Sequence, residues 1–361
     1  MKLGILTFHR ASNYGAVLQC FALQETLTRL GYDALVVDYR TPQVELDHWP
    51  KHAVRKAGLI RGVSRIPRRM IKTHRFDAFR KRALSLTDEI READLPSLIN
   101  DFDGFIAGSD QVWSERYAAL DSHLFLDFAR DGQRYSYACS FGADHPGDAV
   151  RRACTTYLPS FEAVSLREMS GQTFVKDEVG VPARTDVDPV LLLQRDDWLD
   201  FASLPSEEGY ILIYTVPGPV HLLDVARSLS ARTGKKIVYL NDSLKHRDLP
   251  HKRLTTPEEF VGWFARAGIV LTNSFHGTAF STLLGKDFFV EIMSDRGQNN
   301  RSLEFLKSCG LSNRILTMDN GQDLLTPIDW NTPQSRLAAL RDPSINYLKG
   351  IGSHIVARQK A

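Results

Sequence analysis

Apolar positions along this chain alternate between two rhythms. Short continuous runs, KLGILTF from Lys2, DALVVDY from Asp33, FDGFIAG from Phe102 and YSYACSFG from Tyr135, read as strands of a buried parallel sheet. Between the first two lies NYGAVLQCFALQETLTRLG, whose 3.6-residue spacing predicts a helix with Asn13 as N-cap and Gly31 as C-cap. Further helices are expected from Pro146 to Leu158 and from Arg167 to Val179. A second alternating set begins with the strand GYILIYTV at Gly209. It continues with a helix from Val220 to Thr233, the strand KIVYL, a helix from Pro257 to Ala267, a strand at Ile269 to Leu271, a helix from Gly277 to Leu284 and a strand from Phe288 to Ile292.

Strand and helix in strict alternation predict an α/β chain with two Rossmann-like domains facing a cleft. The expected bounds are an N-terminal domain over 1–190, a C-terminal domain over 205–333, and a final helix over 334–361 that packs back across both. TDVDPVLLLQRDDW, from Thr185 to Trp198, lies between the two sets as the hinge region. A length of 361 residues fits this, since one core rarely grows past about 250–300 residues.

Composition narrows the class. With 43% hydrophobic and 24% charged residues the chain reads as globular, no apolar run reaches membrane-spanning length, and the opening MKLGILTFHR is too quickly polar for a signal peptide, so a cytoplasmic location is expected. Four scattered cysteines form no C-x-x-C pair, which suggests neither a disulfide framework nor a zinc site, and Cys20 falls on the apolar stripe of the first helix. The net charge of +2 hides a local excess. From Lys51 to Arg82 there are twelve Lys or Arg and one acid, Asp77. Val54, Ile60, Val63, Met70, Ile71, Phe76 and Phe79 interleave with them, so 51–82 reads as a basic helical insertion. It is either a solvated face with its aromatics turned inward or a peripheral contact with anionic lipid at the inner face of a membrane. No nucleic-acid motif accompanies it. P-loop and G-x-G-x-x-G fingerprints are absent too, and the two Asp-x-Asp pairs, at Asp101 and Asp186, fit turns and caps as well as metal ligation.

Candidate chemistry gathers where strands hand over to helices, the ligand edge of open α/β sheets. In TNSFHGTAF, His276 stands at such a turn, beside Asn273, Ser274, Gly277 and Thr278. An imidazole is the side chain type best suited to proton transfer, while the amides of Gly277 and Thr278 at the helix start suit an anion. Helix capping by His276 and close helix packing at Gly277 are the structural alternatives. In the N-terminal half, His9, Asn13 and Tyr14 follow the first strand, and Ser109, Asp110, Gln111 and Trp113 follow FDGFIAG. Asp110 could orient or deprotonate a hydroxyl and Trp113 could stack on a sugar. Helix caps at Asn13 and Asp110, and core positions for Tyr14 and Trp113, are the alternatives.

Several stretches together, TFHRASNYGAVLQCFALQ, IAGSDQVW, SYACSFG, SLRE from Ser165, DVDPVLLL and TNSFHGTAFSTLLGKDFFV, resemble the polysaccharide pyruvyl transferase family from about Lys2 to Leu311. The resemblance implies a GT-B-like architecture. It also implies transfer of a pyruvyl group from phosphoenolpyruvate to hydroxyls of a sugar or lipid-linked glycan, giving a pyruvate ketal with no cofactor and no metal. It assigns proton transfer to His276, acceptor chemistry to Asp110 on the N-terminal side, and donor binding to Arg167, whose structural alternative is a pair with Glu168. Many members carry Arg-Leu-His-Gly where this chain has Ser274-Phe275-His276-Gly277, so one donor-binding arginine is replaced by Ser274. Arg301, in QNNRSLEFL, is the candidate to restore that charge, or else an ordinary exposed helix-start arginine. Two other readings share the architecture: a GT-B glycosyltransferase using a nucleotide sugar, and a non-catalytic glycan-binding relative. Against the first, no two glutamates after residue 200 stand eight positions apart, the spacing often used there to hold ribose.

Overall fold

The computed structural model describes residues 1–40, 66–115, 120–216, 221–241, 248–252, 254–292, 300–317 and 323–360. The chain divides into two compact units, one of Met1–Leu192 with Leu340–Ala361, the other of Leu193–Ala339. The crossing at Leu192 lies inside the DVDPVLLL stretch.

In the first unit, β1 (Lys2–Leu6), β2 (Asp33–Tyr39), β3 (Leu86–Ile90), β4 (Gly104–Ala107) and β5 (Arg134–Ser136) form a parallel sheet of order β3-β2-β1-β4-β5. Gly4 sits opposite Phe105 in the register, and a Cβ there would stand 2.6 Å from the Phe105 ring, so the residue makes room for an aromatic on the neighbouring strand. Helix α1 (Tyr14–Arg29) covers one face through Cys20, Leu23 and Leu27, which pack with Leu3, Ile5, Val36 and Ile106. On the other face Leu6, Val37, Phe105 and Ala107 meet Trp113, Phe125 and Phe161. A sheet covered on both sides accounts for strands that read as unbroken apolar runs. Helix α2 (Ile66–Ala83) lies in the basic stretch, and its Phe76 and Phe79 are wholly buried. Val54, Ile60 and Val63 fall outside the described residues.

The remaining elements of this unit are α3 (Asp148–Tyr157), β6 (Val164–Leu166), α4 (Met169–Phe174) and β7 (Ala183–Thr185), with β6 and β7 forming a parallel pair. The YSYACSFG strand is shorter than its apolar run: Ala138 takes φ 45°, outside the strand region, and beyond Ser136 the ladder continues as isolated bridges of Cys139 to Asp110 and to Leu166. The helix expected from Arg167 starts at Met169, because β6 runs to Leu166, the chain bends at Arg167 and Glu168 takes the N-cap.

In the second unit α5 (Arg195–Phe201) precedes β8 (Ile211–Tyr214), α6 (Leu222–Thr233), β9 (Ile237–Leu240), β10 (His251–Lys252), α7 (Pro257–Arg266), β11 (Ile269–Thr272), α8 (Phe275–Leu283), β12 (Asp287–Val290) and α9 (Asn300–Cys309). Its parallel sheet has the order β10-β9-β8-β11-β12, the same winding as the first. Helix α7 is fastened by a capping box of Thr256 and Glu259 with Pro257 at its first position. Helix α10 (Asn331–Gln359) begins in this unit, where Gln334 Nε2 donates to Thr282 O at 3.0 Å, and ends in the first, where Leu348, Ile351 and Ile355 join the α1 face of the sheet. All four cysteines are buried and unbonded to one another.

Ile351 is 1% exposed in that core, so Ile351→Ala is expected to cost about 2–5 kcal/mol, measured by urea denaturation of the whole chain. A loss below about 1 kcal/mol would mean that the final helix is not a structural part of the first unit.

Candidate functional site

Each sheet reverses its winding once, between β1 and β4 in the first unit and between β8 and β11 in the second. At such a switch point the turns leaving the carboxyl ends diverge to opposite faces and open a crevice. The candidate residues divide between these two places.

In the first unit the two turns are stitched together from beneath. Gln19 of α1, wholly buried, donates to Thr7 Oγ1 at 2.9 Å and accepts the Ser109 amide at 3.2 Å, while Thr7 Oγ1 donates to Ser109 O at 2.9 Å. Ser109 is itself fully buried and its hydroxyl donates to Ala138 O at 2.6 Å, so it is a brace and not a ligand contact. Nor does His9 face a ligand. It is 1% exposed, with Nε2 2.8 Å from Asp38 Oδ1 and Nδ1 3.1 Å from Thr7 O. Arg10 grips the same Asp38 through Nε and Nη2, each at 2.6 Å. Burial pushes the Asp38 carboxyl up, but hydrogen bonds and charge from His9 and Arg10 outweigh it and hold the group well below the usual carboxylate range. Asn13 caps α1, accepting the Ala16 amide at 3.3 Å, and Tyr14 is buried against Phe76, ring centroids 5.2 Å apart.

Trp113 likewise belongs to the core. It has no exposed surface, stacks on Phe125 at 5.1 Å and donates its indole N–H to Leu124 O at 3.0 Å, so it offers no platform to a sugar. Gln111 is 7% exposed and its amide lies over Gly142. Asp110 alone of this turn keeps an acidic side chain partly open to solvent, at 19%. Its φ of 72° is a left-handed conformation that aspartate tolerates better than most residues. One carboxylate oxygen accepts from Arg167 Nη2 at 3.3 Å.

Arg167 follows β6, and its side chain is 1% exposed. Nη1 donates to Asp188 Oδ2 at 2.5 Å, and the other Asp188 oxygen caps the next turn by accepting the Val190 amide. Burial alone would lower the guanidinium pKa, but Asp188, Asp110 and Glu168 override it and drive it further up. The alternative pair with Glu168 does not form as a contact: Glu168 Oε1 turns to Ser140 Oγ at 2.7 Å and the Phe141 amide at 3.1 Å. Arg167 is thus an interior cation matched by two aspartates, with one of them, Asp110, at the surface.

In the second unit Asn273 Oδ1 accepts the Val216 amide at 2.7 Å and ties the β8 turn to the β11 turn. Ser274 is the N-cap of α8 and His276 lies in its first turn, so capping falls to the serine and not to the histidine. Ser274 Oγ accepts the Gly277 amide at 3.5 Å, and the Thr278 amide donates to Ser274 O at 2.9 Å. These two amides are therefore engaged in the helix cap, which removes the anion cradle expected there. Gly277 has a packing reason, since a Cβ would stand 2.2 Å from Thr272 Oγ1. His276 is partly exposed. Its ring lies 5.5 Å from that of Phe275, and the Arg301 guanidinium lies 5.8 Å from the same Phe275 ring. Helix α9 thus brings Arg301 to the histidine turn across one aromatic side chain. Glu291, just after β12, accepts the His221 amide at 2.8 Å at this edge. Sequence reasoning missed Gln19, Asp38 and Glu291. All three stand at strand ends or on α1 facing the turns, but the strand order needed to place them is not in the local pattern. Among the described residues no group of three His, Cys, Asp or Glu converges as a metal site.

The family model described as polysaccharide pyruvyl transferase matches residues 13–291. No match was found among curated proteins. Among solved structures, a protein described as a UDP-N-acetylglucosamine 2-epimerase from Listeria monocytogenes is similar, with TM-score 0.50 and 10% identity over 97% of this chain and 90% of that one. UDP-GlcNAc 2-epimerase from Neisseria meningitidis gives 0.48 and 13% over 100% and 99%, and Escherichia coli ADP-heptose LPS heptosyltransferase II gives 0.40 and 14% over 100% of each chain. At these identities the likeness concerns the fold, which is α/β with two Rossmann-like units of GT-B type.

Two substitutions probe the architecture of these turns. Gly277→Ala drives a Cβ into Thr272 and is expected to displace the start of α8 and lower transfer activity at least about tenfold, read in a turnover assay. Asp38→Asn leaves Arg10 and His9 facing a neutral amide and is expected to destabilise the chain by about 2–4 kcal/mol at neutral pH. Because the folded-state titration of Asp38 is depressed, its contribution is fully present above about pH 4 and is lost as the pH falls further. Denaturation curves of wild type and variant should therefore converge in acid, and a constant gap down to low pH would remove the carboxylate charge as the cause.

Proposed function

The chain belongs to the polysaccharide pyruvyl transferase family and is an enzyme of pyruvyl transfer, and from that premise we propose phosphoenolpyruvate as donor and a pair of hydroxyls on a sugar or lipid-linked glycan as acceptor. The observation that carries the reading is that a cation, Arg301, and a histidine, His276, both lie against the Phe275 ring at the carboxyl edge of the second unit's sheet. An enolpyruvyl donor asks for that combination.

His276 delivers a proton to the methylene carbon of the enol, which becomes the methyl of the product, and the neighbouring carbon takes up oxocarbenium character. One sugar hydroxyl adds to that carbon and gives up its proton to a base. The phosphate then leaves with its bridging oxygen, and a second hydroxyl, losing its own proton, closes the ketal. The balance is one donor and one diol in, one ketal and one inorganic phosphate out. Arg301 holds donor phosphate or carboxylate, taking the role of the arginine replaced by Ser274. Within the first unit, Asp110 is the candidate base for an acceptor hydroxyl. Arg167 does not meet the donor in this arrangement: its guanidinium is enclosed by Asp188 and Asp110, and it acts as a positioning residue that holds the Asp110 carboxylate in one direction.

Calorimetric titration with phosphoenolpyruvate tests the assignment. Wild type is expected to bind, and Arg301→Ala to weaken affinity about tenfold to a hundredfold. His276→Ala should retain binding and lose turnover. Donor affinity in Asp110→Asn should be close to wild type, with the loss appearing in transfer. Binding of a uridine nucleotide with no response to phosphoenolpyruvate would replace this reading by nucleotide-sugar transfer, and unchanged donor affinity in Arg301→Ala would remove that residue from the site.

A further inference from the structure

Helix α2 has two unlike faces. Inward, Phe76 and Phe79 are wholly buried against the rings of Tyr14 and Phe21, and Arg80, 5% exposed, reaches His9 O and Arg10 O with Nη1 at 3.4 Å each while pairing with Asp77. Outward, Met70, Ile71, His74, Arg75, Ala78, Lys81 and Arg82 are exposed. Their spacing of three, four and seven places them on one helical stripe. Met70 at 59% and Ile71 at 46% are among the most exposed large apolar side chains of the described residues. The helix carries seven Lys or Arg and a single acid, Asp77, and that acid is turned to Arg80. The outer stripe therefore has aliphatic groups at one end, cations along the rest and no acid of its own.

We propose that this face seats the protein on an anionic phospholipid surface. Met70 and Ile71 enter the boundary between headgroups and acyl chains, and Arg75, Lys81 and Arg82 meet the lipid phosphates. A soluble polyanion would satisfy the cations but leave the two aliphatic side chains in water, whereas a bilayer surface offers both environments within one helix width. The proposal does not depend on which donor the enzyme uses.

Sedimentation of the full-length chain with vesicles tests it. The protein is expected to bind mixed phosphatidylcholine and phosphatidylglycerol vesicles and not phosphatidylcholine alone. The triple variant Arg75→Gln, Lys81→Gln, Arg82→Gln should lose about a hundredfold in partition, and Met70→Asp with Ile71→Asp at least about tenfold, with thermal unfolding unchanged in both. Equal binding to both vesicle types, no binding to the mixed vesicles at low salt, or partition unaltered by either set of substitutions would overturn the assignment. So would a soluble sulfated glycan that binds as tightly as the vesicles and ignores the Met70 and Ile71 changes.

Discussion

At the carboxyl end of a parallel sheet the hydrogen-bond ladder runs out, and the backbone groups of the turns that follow need partners from somewhere else. Both units meet this constraint with a buried side chain that spans the two turns at the switch point. Gln19 joins Thr7 and Ser109 in the first, and Asn273 takes the Val216 amide in the second. An unsatisfied amide in such a place costs on the order of 1–3 kcal/mol, so these side chains determine whether the turns have one conformation or several. The positions of Asp110 and His276 both follow from that bracing. A proton carrier placed loosely by even 1 Å loses much of its value, and rigid turns are what a chemical site at a sheet edge needs.

A second layer of constraint is electrostatic. Arg167, Asp188 and Asp110 form an interior group in which the cation is matched before any ligand arrives. Removing one member of such a group leaves an uncompensated charge, a loss of about 3–5 kcal/mol, which makes Arg167 a poor candidate for a side chain that swings between partners. Ion pairing of this kind fixes direction as well as charge: one guanidinium edge is held by Asp188, so the other presents Asp110 at a single angle. In the second unit the cation is placed differently, with the Arg301 guanidinium lying over the Phe275 ring.

The basic stretch shows how one element serves two solvents. Its aromatics complete the first unit's core, and its only acid neutralises the one arginine that points inward. What is left outside is a stripe of basic and aliphatic side chains that holds no acid of its own. The first unit therefore carries its polarity on one helix surface, away from the balanced composition of the chain as a whole.

Much of this was legible along the chain. Alternating apolar runs announced two α/β units, Asn13 announced a helix start, and the TNSFHG turn announced a sheet-edge histidine, because each depends on residues within one or two turns of each other. Three kinds of fact were not legible. Trp113, Ser109 and His9 occupy the expected turns but point inward, since burial is decided by the strands and helices packed above them. Arg167 pairs with Asp188 and Asp110, far apart in sequence, in preference to the adjacent Glu168, whose carboxylate is taken by Ser140 and the Phe141 amide. Arg301 meets Phe275 only through the packing of α9 beside α8. The sequence by itself determined the elements and the turns that could carry chemistry, through periodicity and capping that act locally; the tertiary structure alone decided which of those side chains reach the surface and which charges face them, because strand order and packing join residues that no local pattern connects.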